Sequence, residues 1–298
     1  MDVSIIIVNY NTKALITNCI QSIYEKTTGI DYEIIVVDNA SVDGSQQMIA
    51  KNYPNIKLIE LNENIGFGRA NNEGVKIALG RNILFLNPDT ILINNAIKIL
   101  SDYLNVNVKA GVCGGNLFDE NMKPTLSYRF IYPSILLEIN DLLFRIPEIV
   151  IFGKNTQYNH STINKSVAYI TGADLMIKNS IIGQYGGFSP SFFMYYEDTD
   201  ICYKIHKAGY KIISVPEAKI QHLEGKSLGD NKISKQRVNL SENSRKVFYS
   251  KNYSKNYCNI VNSIYLFRIK LRIVLKKILN KEPDHYWGSL LNGFNSAK

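Results

Sequence analysis

Short apolar runs punctuate the first part of the chain: "VSIIIV" (3–8), "EIIVVD" (33–38), "IKLIEL" (56–61) and "NILFLN" (82–87). They are rich in β-branched residues and lack a strict apolar–polar alternation, the pattern of strands buried on both faces. Between them, "KALITNCIQSIYEK" (13–26), "SQQMIAKNY" (45–53) and "RANNEGVKIAL" (69–79) carry helical spacing. Strand and helix in alternation predict an α/β fold with a mainly parallel sheet flanked by helices.

Past Gly114 the rhythm becomes irregular. Residues 116–165 are rich in Asn, Tyr, Ser and Pro and read as an insertion shaping one side of a cleft. Strand character returns at "SVAYITGADLMIK" (166–178). "YEDTDICYKIHKAG" (196–209) predicts a helix ended by Gly209, with strands after it at "YKIISVP" (210–216) and "AKIQHL" (218–223). The last part is helical: Ile260, Ile264, Phe267, Leu271, Val274 and Ile278 recur at three-, four- and seven-residue spacings, with Arg268, Arg272 and Lys276 beside them. This basic amphipathic helix either packs on the domain with a solvated basic face or attaches to an anionic membrane surface.

Composition adds two constraints. The 298 residues are 45% hydrophobic and 20% charged, ordinary for a protein with a real core. Cys19, Cys113, Cys202 and Cys258 lie far apart, which argues against a disulfide framework or a cysteine zinc site and fits a reducing compartment. The N-terminal apolar run is short and preceded by an acid, so it does not read as a signal peptide, and no window is long enough for a spanning helix. A cytoplasmic protein is expected, with membrane contact at the inner face only. The net charge of +8 is uneven, with +11 on residues 226–298 and −3 on residues 1–225. No nucleic-acid-reading motif accompanies the basic stretch, so a nucleic-acid partner is not expected.

In a parallel sheet the strand C-termini open on one edge, where ligands bind. The residues that follow the runs are Asn9 and Asn11, then Asp38 and Asn39, then Asn62, Asn64 and Gly66, then Asn87 and Asp89. Taken singly, Asp38 could cap a helix, and Asp89 after Pro88 could form a turn. Their convergence predicts a polar ligand along that edge. A dinucleotide-binding dehydrogenase would need glycines in the first turn, which is "NYNTKA". Further on, Glu197 and Asp198 follow the aromatics Phe192, Phe193, Tyr195 and Tyr196, and Asp200 is spaced to pair with Lys204. Three acids in a first helical turn favour the helix dipole, yet an apolar rim also raises a carboxylate's basicity and suits a general base.

These segments resemble the glycosyltransferase family 2 enzymes of the GT-A fold, and more narrowly their bacterial rhamnosyltransferase-like branch. The resemblance rests on "VSIIIVNYN", "EIIVVDNASVDGS", "NENIGFGRANNEG", "FLNPDT", "TGADLMIK", "GGFSPSFFMYYEDTDICYKIHKAGY" and "PEAKIQH", in that order over residues 3–225. It implies a Rossmann-like GT-A domain over 1–225 with a mixed, mainly parallel sheet, 116–165 as an acceptor-side insertion, and a basic helical extension over 226–298. It implies that Asn9, Asn11, Asp38, Asn64, Gly66, Arg69 and Asn87 hold a nucleotide-sugar. Asp89 and His222 would bind Mn²⁺ or Mg²⁺, and Asp198, beside Glu197, would be the general base of an inverting transfer. Asn87 stands where the family's metal motif often has an acid, so a weak metal site is expected. The implied partners are a dTDP- or UDP-sugar donor, with dTDP-L-rhamnose first and UDP-galactose, UDP-glucose or a furanose donor as alternatives. The acceptor would be a glycan or a polyprenyl-diphosphate-linked glycan of O-antigen or capsule type. A sugar-nucleotidyltransferase and an inactive nucleotide-sugar-binding subunit are the competing classes; the first wants a glycine- and lysine-bearing phosphate loop, which "NYNTKA" is not.

Overall fold

In a computed structural model, residues 1–154, 156–223, 235–278 and 285–296 are described. The chain runs β1 (Val3–Asn9), α1 (Lys13–Lys26), β2 (Tyr32–Asp38), α2 (Ser45–Asn52), β3 (Lys57–Glu60), α3 (Phe67–Val75), β4 (Asn82–Leu86), β5 (Thr90–Leu92), α4 (Ala96–Val106) and β6 (Ala110–Phe118). Then come β7 (Tyr128–Arg129), α5 (Ile135–Leu142), α6 (Ile146–Phe152), β8 (Lys165–Val167), β9 (Tyr169–Ile170), β10 (Asp174–Lys178), α7 (Asn179–Tyr185), α8 (Glu197–Lys207) and β11 (Lys211–His222). The described residues end with α9 (Lys235–Asn252), α10 (Lys255–Ile278) and α11 (His285–Ser296).

They group into two compact units. The first comprises the described residues within 1–130, 157–190 and 197–230, and the second those within 131–156, 191–196 and 231–298. The expected basic extension begins at 226, and its first residues, 226–234, lie outside the described residues.

The first unit is built on one mixed sheet of order β3-β2-β1-β4-β10-β6-β11-β5, with β8 also pairing on β11. β1, β2, β3 and β4 pair in parallel, as the alternating pattern predicts. β10 then enters antiparallel to both β4 and β6. All seven residues of β1 are buried, which explains why its sequence shows no alternation. The core on one side joins Ile5 and Ile7 with Ile16, Ile20 and Ile23 of α1 and Leu100 of α4.

Three expected elements differ. The two strands expected over 210–216 and 218–223 are one strand, β11, whose pairing with β6 shifts register between Ser214 and Lys219. Pro216 sits in that irregular stretch, where a missing N–H costs no ladder bond. The helix expected at 69–79 spans Phe67–Val75 instead, and it begins earlier because Gly66, with a positive φ of 91°, turns the chain just before it. The region 116–165, patternless in sequence, contains the end of β6, β7 and the two short helices α5 and α6.

Candidate functional site

The first strand ends form a hydrogen-bonded polar framework. Asn9 and Asp38 face each other in the β1–β2 register, both fully buried. Asn9 Nδ2 donates to Asp38 Oδ2 at 2.7 Å and to Ser41 Oγ at 3.0 Å, while its Oδ1 accepts from Thr12 Oγ1 at 2.6 Å. Asp38 Oδ1 accepts from the Ser41 N–H at 2.8 Å and from Gln46 Nε2 at 2.7 Å. These bonds hold the two loops together, so both residues shape the edge through the backbone they fix. Asn11 is exposed, has a left-handed φ of 55°, and accepts the Val42 N–H at 2.8 Å. The next loop is tied in the same way. Asn39 Nδ2 donates to Asn64 Oδ1 at 2.8 Å, and that oxygen also accepts the Gly66 N–H at 3.0 Å. Arg69, exposed on α3, donates through Nε to the Pro190 carbonyl at 2.8 Å.

"NPDT" is a tight turn between β4 and β5. The Thr90 N–H donates to the Asn87 carbonyl at 3.3 Å, which puts Pro88 at the second position, where its fixed φ suits the turn. β5 pairs antiparallel with the end of β11, His222 opposite Thr90, and the Leu223 N–H donates to the Asp89 carbonyl at 2.9 Å. His222 Nε2 therefore lies 3.3 Å from Asp89 Oδ1 and 3.5 Å from Asn87 Nδ2. The side-chain oxygens Asn87 Oδ1 and Asp89 Oδ1 are buried without a hydrogen-bond partner. One carboxylate, one amide oxygen and one imidazole suit Mn²⁺ or Mg²⁺ by ligand type. Among the described residues no group of three or more His, Cys, Asp and Glu side chains gathers, so the set carries a single acid. Cys19 lies 3.5 Å from Thr90 Oγ1, but burial pushes its thiol up to about 12 and keeps it a neutral packing group.

The acids open α8. Tyr195 and Tyr196, with φ of 71° and 66°, bring the chain into the helix through two consecutive left-handed residues. Strain of this kind marks sites where a side chain must be aimed. Asp198 accepts the Gly172 N–H at 3.0 Å, the Thr199 N–H at 2.6 Å and the Thr199 hydroxyl at 3.1 Å. Its carboxyl is nonetheless raised above the usual range, because burial outweighs those donors. Glu197 is buried, and its Oε2 has no hydrogen-bond partner. Burial first, and the Asp198 charge second, push it up to about 8. Asp200 is buried too, and Lys204 donates to the carbonyls of Gly186 and Gly187 at 2.8 and 2.7 Å.

Gly172 is where these parts meet. A Cβ placed there would lie 3.6 Å from both Asp198 Cβ and Phe67 Cε1. Its N–H holds Asp198, and the carbonyl of the next residue, Ala173, accepts the Asn87 N–H at 3.0 Å. Sequence reasoning singled out "TGAD" without giving it a task. Thr12, Ser41, Gln46 and Thr199 also went unnoticed, since small polar residues in loops carry no distinctive spacing.

Residues 4–186 match the family model described as Glycosyl transferase family 2. The chain belongs to glycosyltransferase family 2.

This glycosyltransferase is 26% identical over 224 residues to the N-acetylglucosaminyl-diphospho-decaprenol L-rhamnosyltransferase of Mycobacterium tuberculosis, covering 66% of the chain and 68% of that relative. It is 25% identical over 235 residues to the O-antigen chain rhamnosyltransferase RfbN of Salmonella typhimurium, covering 74% and 66%. Its fold matches the mannosyltransferase PcManGT from Pyrobaculum calidifontis in complex with GDP-Man and Mn²⁺, with a TM-score of 0.60 at 16% identity over 98% and 84% of the two chains. It also matches S. aureus TarS in complex with UDP-GlcNAc, with a TM-score of 0.58 at 16% identity over 98% and 79%. These are GT-A folds, and the glycosyltransferase shares their mainly parallel mixed sheet. The family match ends before Asp198 and His222, so the reading of those two residues stands on their local geometry.

Proposed function

We propose that this glycosyltransferase transfers a sugar with inversion from a nucleotide-sugar to a lipid-linked glycan acceptor in cell-surface polysaccharide synthesis, with dTDP-L-rhamnose as donor. The observation that carries the reading is the pair of consecutive residues Gly172 and Ala173, of which the first binds Asp198 through its N–H and the second binds the N–H of Asn87, at the head of the Asn87–Thr90 turn, through its carbonyl. The proposed base and the turn are thus anchored on the same short segment of chain. The rhamnose assignment and the lipid-linked acceptor are supported by the activities of the two relatives.

In this mechanism the framework of Asn9, Asn11, Asp38 and Asn64 presents backbone groups to the nucleotide, and Gly66 and Arg69 stand at its diphosphate. Asn87, Asp89 and His222 would hold Mn²⁺ or Mg²⁺, which supplies positive charge against the departing nucleoside diphosphate. Asp198 takes the proton of the acceptor hydroxyl as its oxygen attacks the anomeric carbon. The bond from that carbon to the phosphate oxygen breaks, and its electron pair leaves with the diphosphate. One displacement gives one inversion. Glu197, whose carboxyl burial and the Asp198 charge hold above the usual range, stands beside that base. Work at the inner face of the cell membrane follows from a lipid-linked acceptor.

The test is a panel of dTDP-rhamnose, UDP-galactose, UDP-glucose and a furanose donor, each with Mn²⁺ and a polyprenyl-diphosphate-linked acceptor. Nucleoside diphosphate and glycosylated lipid should appear together, first with dTDP-rhamnose. Turnover of another donor alone corrects the donor, release of pyrophosphate would mean a nucleotidyltransferase, and no turnover with any donor removes the reading.

A further inference from the structure

The second unit buries polar groups and exposes large apolar side chains on the same helices. In α5, Glu138 and Asn140 are buried, whereas Leu136 is 70% exposed and Ile139 and Leu143 share its side of the helix at spacings of three and four. In the next helix Glu148 is buried, bound by Asn140 Nδ2 at 2.9 Å and by Arg145 Nη2 at 2.9 Å, while Val150 and Ile151 are 77% and 71% exposed. α10 is apolar on both its inner and its outer side. Its inner row is Val261, Tyr265 and Ile269, and Arg268 turns inward to Glu138 at 3.2 Å and to Asp141. Its outer row is apolar: Phe267, Val274 and Ile278 are 58%, 50% and 70% exposed. A helix whose outer side meets water carries polar residues there. Exposed apolar area on this scale marks a surface that something covers.

The charges say what covers it. α10 carries six basic residues and no acid. Lys270 and Lys277 are exposed and flank the outer apolar row at helical spacing. The Arg272 guanidinium lies 3.5 Å from the centroid of the Phe144 ring, a cation at the rim of the exposed α5–α6 surface. Apolar side chains edged by cations match acyl chains edged by anionic head groups. A second copy would set one basic helix against another, which like-charge repulsion opposes. Among the described residues no helix is long and apolar enough to cross a membrane, so the contact lies in the plane of the interface.

We infer that the second unit docks on an anionic lipid bilayer through the α5–α6 surface and the outer row of α10. The inference rests on the proposed lipid-linked acceptor for its purpose, since that substrate lies in the same surface, but its test requires no catalysis. The full chain is floated with phosphatidylcholine vesicles and with vesicles containing one-quarter phosphatidylglycerol. It should rise with the anionic vesicles. The variant Leu136→Gln/Leu143→Gln/Val150→Gln/Ile151→Gln should lose at least tenfold in partitioning with its melting temperature unchanged, because every substituted side chain is exposed. Lys270→Gln/Lys277→Gln should weaken binding to anionic vesicles and flatten its salt dependence, whereas Val106→Gln/Val108→Gln, in the first unit, should change nothing.

A wild-type chain that stays in the soluble fraction with both vesicles overturns the inference, as does a quadruple variant that floats like wild type. A wild-type dimer that the quadruple variant turns into monomers, without flotation, would show that the surface is covered by a second copy or another protein chain. Release of nucleoside diphosphate from the donor in the absence of vesicles separates the two readings. If it persists while flotation fails, only the docking is wrong; if flotation holds and no donor turns over, only the transfer is wrong.

Discussion

Replacing Asp198 with asparagine removes one charge and almost no volume. The carboxylate accepts three hydrogen bonds, one from Gly172 and two from Thr199. An amide has one oxygen, so if it keeps Thr199, its NH₂ must face the Gly172 N–H. A lost bond of this type costs about 1–3 kcal/mol. Removing a buried charge offsets part of that, because burial already raises this carboxyl. The net stability change should stay below about 2 kcal/mol. A lost general base costs about 10²–10⁴ in rate, or roughly 2.7–5.4 kcal/mol at 1.36 kcal/mol per decade. Transfer should therefore collapse in a protein that still folds. The assay is nucleoside diphosphate release at saturating donor and acceptor, beside calorimetric titration of the nucleoside diphosphate. The base works only when deprotonated, so wild-type kcat/KM should rise with pH through a limb above the ordinary aspartate range. Asp198→Asn should also bring Glu197 down from about 8, since the neighbouring charge that helps raise it is gone. Retention of more than one-tenth of the rate, or loss of nucleotide binding together with the rate, refutes the assignment. A deeper loss in Glu197→Gln than in Asp198→Asn would exchange the two roles.

His222→Ala removes the imidazole beside Asp89, and Mn²⁺ affinity measured by electron paramagnetic resonance should fall at least 10- to 100-fold; an unchanged affinity would place the cation elsewhere. Gly115→Ala would drive a Cβ to 2.5 Å from the Ala218 carbonyl oxygen, inside the β6–β11 pair, so denaturant unfolding should show a loss of about 1–3 kcal/mol. Burial pushes Glu138 up to about 7 against the attraction of Arg268 and Arg245. A carboxyl raised on folding stabilises fully below its ordinary range near 4.5 and loses that contribution as pH rises through about 7, so the wild type should melt lower at pH 8 than at pH 5. Glu138→Gln should flatten that difference, on the order of 3 kcal/mol, and an unchanged pH dependence would mean that Arg268 already holds Glu138 ionised.

Much of the first unit was legible from local pattern. The bounds of α1 at Lys13–Lys26 coincide with its helical spacing, and β1, β2 and β4 fall on their apolar runs. The residues after those strands gather along one edge because a parallel sheet leaves no other place for them. Their tasks were not legible. Asn9 and Asp38 read as ligand-facing groups, yet their side chains are spent on each other, on Thr12, Ser41 and Gln46. Hydrogen bonds across 29 positions leave no trace in either local sequence.

By itself, then, the chain determined which stretches become strands and helices, and which polar residues arrive at strand ends. Those outcomes depend on periods of two and 3.6 residues, which are properties of neighbours in sequence. Tertiary structure decided the rest. It set β10 antiparallel between β4 and β6, brought His222 to Asp89 by pairing β11 with β5, and made Gly172 and Ala173 the link from Asp198 to the "NPD" turn. It also decided which face of α10 turns inward. The amphipathic pattern divides that helix into an apolar row and a basic row, but says nothing of which row meets a partner. Buried Glu138 and half-buried Asp141, the latter 127 positions before Arg268, draw that cation inward beside Val261, Tyr265 and Ile269, and Phe267 is left facing out.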